Sequence, residues 1–204
     1  MYLSIVIPCH NYGHYIKDCI NSILLNDLKF ILEIIIVNDS SIDNSENIIL
    51  NLKKKINLIK YYKFNFKSLS KSSNYGISKS KSDYILKVDA DDLINKDFIK
   101  IHFNYLLKKD IDISFSNLVF FNRYKKKNIK QSNSNFMYFF KYPVGSGIIY
   151  KKKVWEQLKG YDESLNFQDD LDFWIKIKKK KKYKIFHIDE YIYYYRNHRT
   201  SMSK

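Results

Sequence analysis

The chain has 204 residues, 36 Lys and Arg against 21 Asp and Glu for a formal net charge of +15, and 45% hydrophobic residues with 5 Gly and 2 Pro. That composition suits one domain with a sizeable core and excludes disordered, collagen-like and linker-dominated chains. Two cysteines, Cys9 and Cys19, are too few for a disulfide scaffold, and the charge alone speaks to solubility and non-specific attraction rather than to fold.

The chain opens on Leu3 to Ile7, a short apolar run that stops at Pro8 and reads as a buried strand. No basic segment precedes it, so no signal peptide is expected. Tyr15, Ile16, Cys19, Ile20, Ile23 and Leu24 then recur at helical spacing within 13–26. Glu33 to Val37 is a second strand. Its run, Phe30 to Val37, is broken by Glu33 and falls far short of the roughly 18 apolar residues that cross a bilayer, so a soluble, cytoplasmic domain is expected. Asp43 to Lys54 reads as a second helix, with Asp43 as N-cap and Glu46 completing a capping box. Residues 56–62 predict a third strand and 70–80 a short helix. Tyr84 to Val88 reads as a fourth strand, Asn95 to Leu107 as a long helix and Phe115 to Phe121 as a further strand. Strands alternating with helices imply right-handed crossovers and a mostly parallel sheet. Ligands of such sheets sit beyond the carboxyl ends of the strands.

Polar clusters follow the strands in the positions that rule selects. Pro8-Cys9-His10-Asn11 follows the first strand, Asn38-Asp39-Ser40-Ser41 the second and Asp89-Ala90-Asp91-Asp92 the fourth. Three acids in four residues repel one another unless a cation or solvent relieves them, and a hard divalent ion with oxygen ligands would do so. The plain alternative is a polar loop that caps the next helix; a rim shared with Asp39 argues against it. Further on, Asp169, Asp170 and Asp172 lie in the first turn of a helix, where acids suit the positive dipole end. A carboxylate aimed at the rim from there would also serve as a general base. The chain closes on Tyr195-Arg196-Asn197-His198-Arg199-Thr200-Ser201, a composition suited to a diphosphate through charge-assisted hydrogen bonds.

Taken together and in order, these segments resemble a family 2 glycosyltransferase of the GT-A fold, an α/β architecture with a Rossmann-like, mostly parallel central sheet flanked by helices. Ser4 to Asn11 resembles the family's opening strand and nucleotide-contacting loop, and Glu33 to Asp43 its second strand, where the acid at Asp39 binds the nucleotide base. Asn74-Tyr75-Gly76 resembles the helix lining the donor, Lys87 to Asp92 the metal-binding Asp-x-Asp segment, and Gly145-Ser146-Gly147 the approach to the acceptor side. Asp169-Asp170 stands where the family carries Glu-Asp, whose second acid is the base, and Ser73 stands where the family has Arg.

The resemblance implies a single domain over 1–204, with a nucleotide-sugar-binding half at 1–118 and an acceptor-binding and catalytic-base half at 119–204. It implies inverting, metal-dependent transfer from a nucleoside diphosphate sugar, with UDP the commoner case, to a glycan or lipid-linked glycan. Pro8, His10, Asn11, Asp39, Lys71, Asn74, Asp89, Ala90 and Arg196 are expected on the donor, and Gly145, Ser146, Gly147 and Trp174 on the acceptor. Asp91 and His198 are expected on Mn²⁺ or Mg²⁺, and Asp170 or its neighbour Asp169 as the base. Phe120, Phe121, Phe136, Tyr138, Phe139 and Phe140 offer rings for sugars, with core or dimer packing the plainer reading. Lysine runs at 53–55, 125–127, 151–153 and 178–182 suggest peripheral contact with an anionic membrane at its inner face, or simply solvated ends.

Other classes fit less well. A nucleotidyltransferase needs a Gly-rich loop after the first strand, where residues 8–15 hold only Gly13. A phosphatase using Asp-x-Asp needs it after the first strand rather than the fourth. A non-catalytic basic nucleic-acid- or nucleotide-binding module has the charge in its favour, but acids at the rim oppose a polyanion there.

Overall fold

A computed structural model describes residues 2–122, 125–131, 145–165 and 169–198. Strands β1 (Leu3–Cys9), β2 (Ile31–Asp39), β3 (Ile59–Phe64), β4 (Tyr84–Lys87), β5 (Leu93–Ile94), β6 (Ile113–Asn122), β7 (Lys125–Gln131), β8 (Ile148–Lys151) and β9 (Ile185–Arg196) form one sheet. Its order is β3-β2-β1-β4-β8-β6-β9-β5, with β7 beside β6. β3, β2, β1 and β4 pair in parallel, as do β6 and β9; β8, β5 and β7 run antiparallel to their neighbours. The sheet is thus mixed and mostly parallel, and a division at 118/119 falls inside β6.

Helices α1 (Ile16–Leu24), α2 (Ser45–Lys53) and α4 (Phe98–Lys109) cover one face, and α3 (Leu69–Lys79), α5 (Lys152–Gln157) and α6 (Asp169–Lys180) the other. The strand alternation decides which residue faces which layer. Ile5, Ile7, Ile34 and Ile36 pack with Ile20, Ile49 and Phe103, whereas Val6, Ile35 and Val37 pack with Ile77, Phe173 and Trp174. Each such side chain contributes about 1.5–3 kcal/mol on burial. Among the described residues no helix is long and apolar enough to cross a membrane.

Two expectations need correction. The α2 cap is not a capping box. Asn44 holds the cap position, the Asp43 carboxylate accepts from Ser45 N (3.0 Å) and from Gly13 N (2.9 Å), and Glu46 takes Tyr61 Oη and Lys63 Nζ instead. A carboxylate near two loops and a facing strand has better partners than its own helix end. The helix predicted from Asn95 begins only at Phe98, because Leu93–Ile94 pairs with β9 and Asn95 N donates to Ile192 O at 2.9 Å.

Candidate active site

The carboxyl ends of β1, β2 and β4 open on one rim. β8 runs antiparallel to β4, so the residues just before it reach that rim too: Gly147 N donates to Lys87 O at 3.0 Å. α6 enters at the same end, with Asp169 and Asp170 in its first turn. The fold therefore brings the Asp-x-Asp segment, the Gly145-Ser146-Gly147 turn and the two helix acids into one cluster.

At its base lies Lys87, only 2% exposed. Its Nζ donates to Asp89 Oδ1 at 3.0 Å and lies 3.4 Å from Ser146 Oγ, which donates in turn to Asp89 Oδ2. Burial pushes the ammonium toward neutrality, but the charges of Asp89, Asp169 and Asp170 outweigh it and hold the group well above the ordinary lysine pKa. Lys87 is the last residue of the otherwise apolar strand Tyr84-Ile85-Leu86-Lys87. A lysine in such a run is the signal that sequence reasoning passed over.

Asp170 is half-buried, with Oδ2 accepting from Gly145 N (3.1 Å) and Oδ1 from Leu171 N (2.8 Å). A Cβ on Gly145 would meet Asp170 Cβ at 2.0 Å, so only glycine lets this backbone reach the carboxylate. Asp169 is buried and its Oδ2 has no hydrogen-bond partner among the described residues. Burial raises its pKa, against the pull of Lys87.

Asp91 Oδ2 lies 2.8 Å from His198 Nε2. Burial, then the charge of Asp89, raises the Asp91 pKa, a negative potential that a cation would relieve. A carboxylate and an imidazole side by side fit a divalent ion such as Mn²⁺ that takes the rest of its shell from water and diphosphate oxygens. Among the described residues no group of three His, Cys, Asp or Glu side chains stands ready to hold a metal. Asp92 does not share the rim. It is buried, accepts Tyr193 Oη (2.7 Å) and Arg196 N (2.8 Å), and so anchors the end of β9 beneath Asp91.

Several expected donor contacts are spent inside the protein. Asp39, 4% exposed, accepts Phe66 N (2.8 Å), Lys67 N (2.9 Å) and Ser40 Oγ (2.8 Å) on Oδ1, and Ser68 N (2.9 Å) and Ser72 Oγ (3.0 Å) on Oδ2. Burial raises its pKa, and the bonds from Ser68, Lys67, Ser40 and Ser72 outweigh that and hold it below the usual carboxylate value. Five donors saturate a carboxylate, so Asp39 shapes the loop entering α3 rather than presenting a free carboxylate to a base. Asn74 is likewise used up: it donates to Tyr161 O and Glu163 Oε1 and accepts Trp155 Nε1 and Tyr161 N, clasping α3 to the segment after α5. Lys71 lines a cavity of about 400 Å³ on the flank of α3 with Phe66, Tyr75 and Trp155, away from the acid cluster. Ser73, where the resemblance has Arg, is fully buried.

The first loop keeps its place at the rim. His10 is exposed; its Nδ1 donates to Asp39 O at 2.6 Å and its Nε2 accepts from Asn11 Nδ2 at 3.1 Å. Asn11, at φ 60°, joins the first two loops through Ser41 Oγ and Ile42 N. Pro8 and Ala90 are buried and shape backbone alone. Arg196, 4% exposed, corrects the expectation of a phosphate partner: its Nε donates to Asp91 O at 2.6 Å, its guanidinium lies over the Tyr15 and Phe121 rings, and Asp18 Oδ2 is 3.6 Å away. Trp174 corrects the expectation of an acceptor platform, since it is buried against Phe115 in the core. Phe136, Tyr138, Phe139, Phe140, Arg199, Thr200 and Ser201 lie outside the described residues.

The family model of Glycosyl transferase family 2 matches residues 4–184. Glycosyltransferase GlyG of Streptococcus pneumoniae is 33% identical over 116 residues, 56% of this chain and 38% of its own length. The poly(ribitol-phosphate) beta-N-acetylglucosaminyltransferase TarS of Staphylococcus aureus is 30% identical over 102 residues, 49% of this chain and 18% of its own length. The crystal structure of TarS residues 1–349 with UDP-GlcNAc superposes at a TM-score of 0.81 and 22% identity, covering 98% of this chain and 60% of that one. A mannosyltransferase of Pyrobaculum calidifontis with GDP-Man and Mn²⁺ superposes at 0.75 and 14% identity, covering 95% and 56%. At these identities the superpositions show the α/β fold, and the chain spans less than two thirds of each of these proteins.

Proposed function

The chain belongs to glycosyl transferase family 2, and from that membership we propose that it moves a sugar from a nucleoside diphosphate sugar, UDP-linked in the first instance, to an acceptor hydroxyl with inversion at the anomeric carbon. The observation that carries the reading is the gathering of Asp89, Asp169 and Asp170 around Lys87 at the carboxyl end of β4, with Asp91 and His198 paired beside Asp89. UDP-GlcNAc in TarS and GDP-Man with Mn²⁺ in the mannosyltransferase support the donor class.

In this reading Asp170 is the base. Gly145 N–H and Leu171 N–H fix both of its oxygens, and charge-assisted hydrogen bonds of this kind orient a carboxylate. It takes the proton of the acceptor hydroxyl as that oxygen bonds to the anomeric carbon from the face opposite the diphosphate, which leaves with the electrons of the broken bond. Asp89 takes a ribose hydroxyl or a metal-bound water. Asp91 and His198 would hold Mn²⁺ or Mg²⁺, and the bound ion supplies positive charge to the departing diphosphate.

The acceptor is a glycan or lipid-linked glycan hydroxyl in a cytoplasmic setting. The lysines at the ends of α2, α3, α4 and α6 suit the negative ends of the helix dipoles and would also attract an anionic inner leaflet.

The test is a thermal-shift and UDP-release panel of UDP, GDP, UDP-GlcNAc and related nucleotide sugars, with Mn²⁺ and with EDTA. Specific stabilisation by one nucleotide that Mn²⁺ strengthens supports the reading. Affinity equal in Mn²⁺ and EDTA removes the metal. Asp170→Asn should lower turnover 10²–10⁴-fold with donor binding little changed, and full turnover in that variant removes the base.

A further inference from the structure

The two halves of the cleft meet at one side chain, and no part of the proposed mechanism uses it. Lys87 closes β4 and lies under the carboxylates, almost without solvent. Its Nζ reaches Asp89 and Ser146, and its carbonyl accepts from Gly147 N. Ser146 Oγ closes a triangle by donating to Asp89. One residue away, Gly145 N donates to Asp170. A continuous path of hydrogen bonds thus runs from the Asp-x-Asp segment through Lys87 and the 145–147 turn to the helix acid.

The turn has little freedom to answer differently. Gly145 is packed against Asp170, and Gly147, at φ +72°, is packed against the Tyr193 ring, whose hydroxyl donates to Asp92. A shift of Ser146 would therefore move the amide that holds Asp170. An isolated buried ammonium is costly, and this one is retained because Asp89 pairs with it and the charges of Asp169 and Asp170 face it.

We infer that Lys87 is a positioning residue: through the Lys87–Asp89–Ser146 triangle it sets the place of Asp89 on the donor side and of Asp170 on the acceptor side at once. This rests on the reading of Asp170 as base. The inference goes beyond charge balance because it predicts how two variants combine.

The experiment uses the full chain with UDP-GlcNAc and Mn²⁺, following UDP release, with UDP binding by calorimetry and unfolding monitored in parallel. Misplacement of a reacting group by about 1 Å costs on the order of 10²-fold. Lys87→Met should therefore lower kcat about 10²-fold while the UDP Kd rises less than about tenfold. Ser146→Ala should lower kcat about tenfold. The double variant should be no more than about threefold worse than Lys87→Met, since both changes free the same carboxylate.

A role in packing alone predicts a lower melting temperature with unchanged kcat per folded molecule, and that result overturns the inference, as do multiplicative losses in the double variant. If Lys87→Met fails to fold, unchanged kcat in Ser146→Ala overturns it by itself. Full turnover in Asp170→Asn instead overturns the mechanism beneath it. An inactive Asp170→Asn beside a fully active Lys87→Met overturns the role of Lys87 alone.

Discussion

His102 gives the chain a calculable weakness to acid. It lies on α4, fully buried, with Nδ1 2.7 Å from Ser114 Oγ, the Phe98 ring tilted against it at 4.2 Å and Nε2 without a hydrogen-bond partner among the described residues. Burial pushes its pKa from 6.5 down to about 3. The unfolded chain therefore binds a proton at mildly acid pH that the folded chain refuses, and stability falls as pH drops below 6.5. One proton corresponds to about 1.4 kcal/mol per pH unit, so the loss is about 2 kcal/mol at pH 5. The raised carboxylates Asp91, Asp92 and Asp169 act with the opposite sign, because their folded forms take up protons first. The comparison must therefore be a difference. Urea unfolding of the wild type and of His102→Gln between pH 7.5 and pH 5 should give curves that converge by about 2 kcal/mol, whatever constant cost the substitution adds. Parallel curves, or an imidazole that titrates near 6.5 in the folded protein by NMR, would refute the reasoning.

Three further outcomes follow from particular contacts. Gly147→Ala places a Cβ 2.3 Å from the Tyr193 ring at a positive φ, and should cost about 3 kcal/mol in thermal or urea unfolding; a neutral result would show that the turn relaxes freely. Asp39→Asn turns an amide toward the donors of Ser68 and Ser72 and should cost about 3 kcal/mol. Lost UDP affinity at unchanged stability would instead put Asp39 on the ligand. The protein should float with phosphatidylglycerol vesicles at low salt and not with phosphatidylcholine, and glutamate replacements at Lys178, Lys179 and Lys180 should abolish that. Equal flotation with both lipids would sink the electrostatic account.

Much of the architecture was legible along the chain. The apolar runs at Leu3 to Ile7 and Glu33 to Val37 and the helical stripe from Tyr15 to Leu24 announce strand, strand and helix, and the crossover rule then selects the rim. Asp89, Asp91 and Asp170 were singled out as candidates because they follow a strand or open a helix, which is a local property, and His198 because the closing segment resembles the family's.

β5, β7, β8, β9 and α5 were not read from the sequence. What the sequence by itself determined is the order of the first four strands and the helices between them, the two-residue alternation along those strands and the set of polar residues delivered to one end of the sheet. Those follow from periods of two and 3.6 residues, which are written into neighbouring positions. What only the tertiary structure decided is which of those polar groups remain available. Asp39, Asn74, Arg196 and Trp174 are as eye-catching in the chain as Asp170, yet Phe66 to Ser68, Tyr161, Asp91 and Phe115 take them up across long separations. Lys87 is the reverse case: a lysine given no role in the chain becomes the hub of the cleft because Asp89, two residues on, is joined there by Asp169 and Asp170 from a distant helix. Hydrogen-bond capacity and charge are shared out among spatial neighbours, and a linear pattern does not name those neighbours.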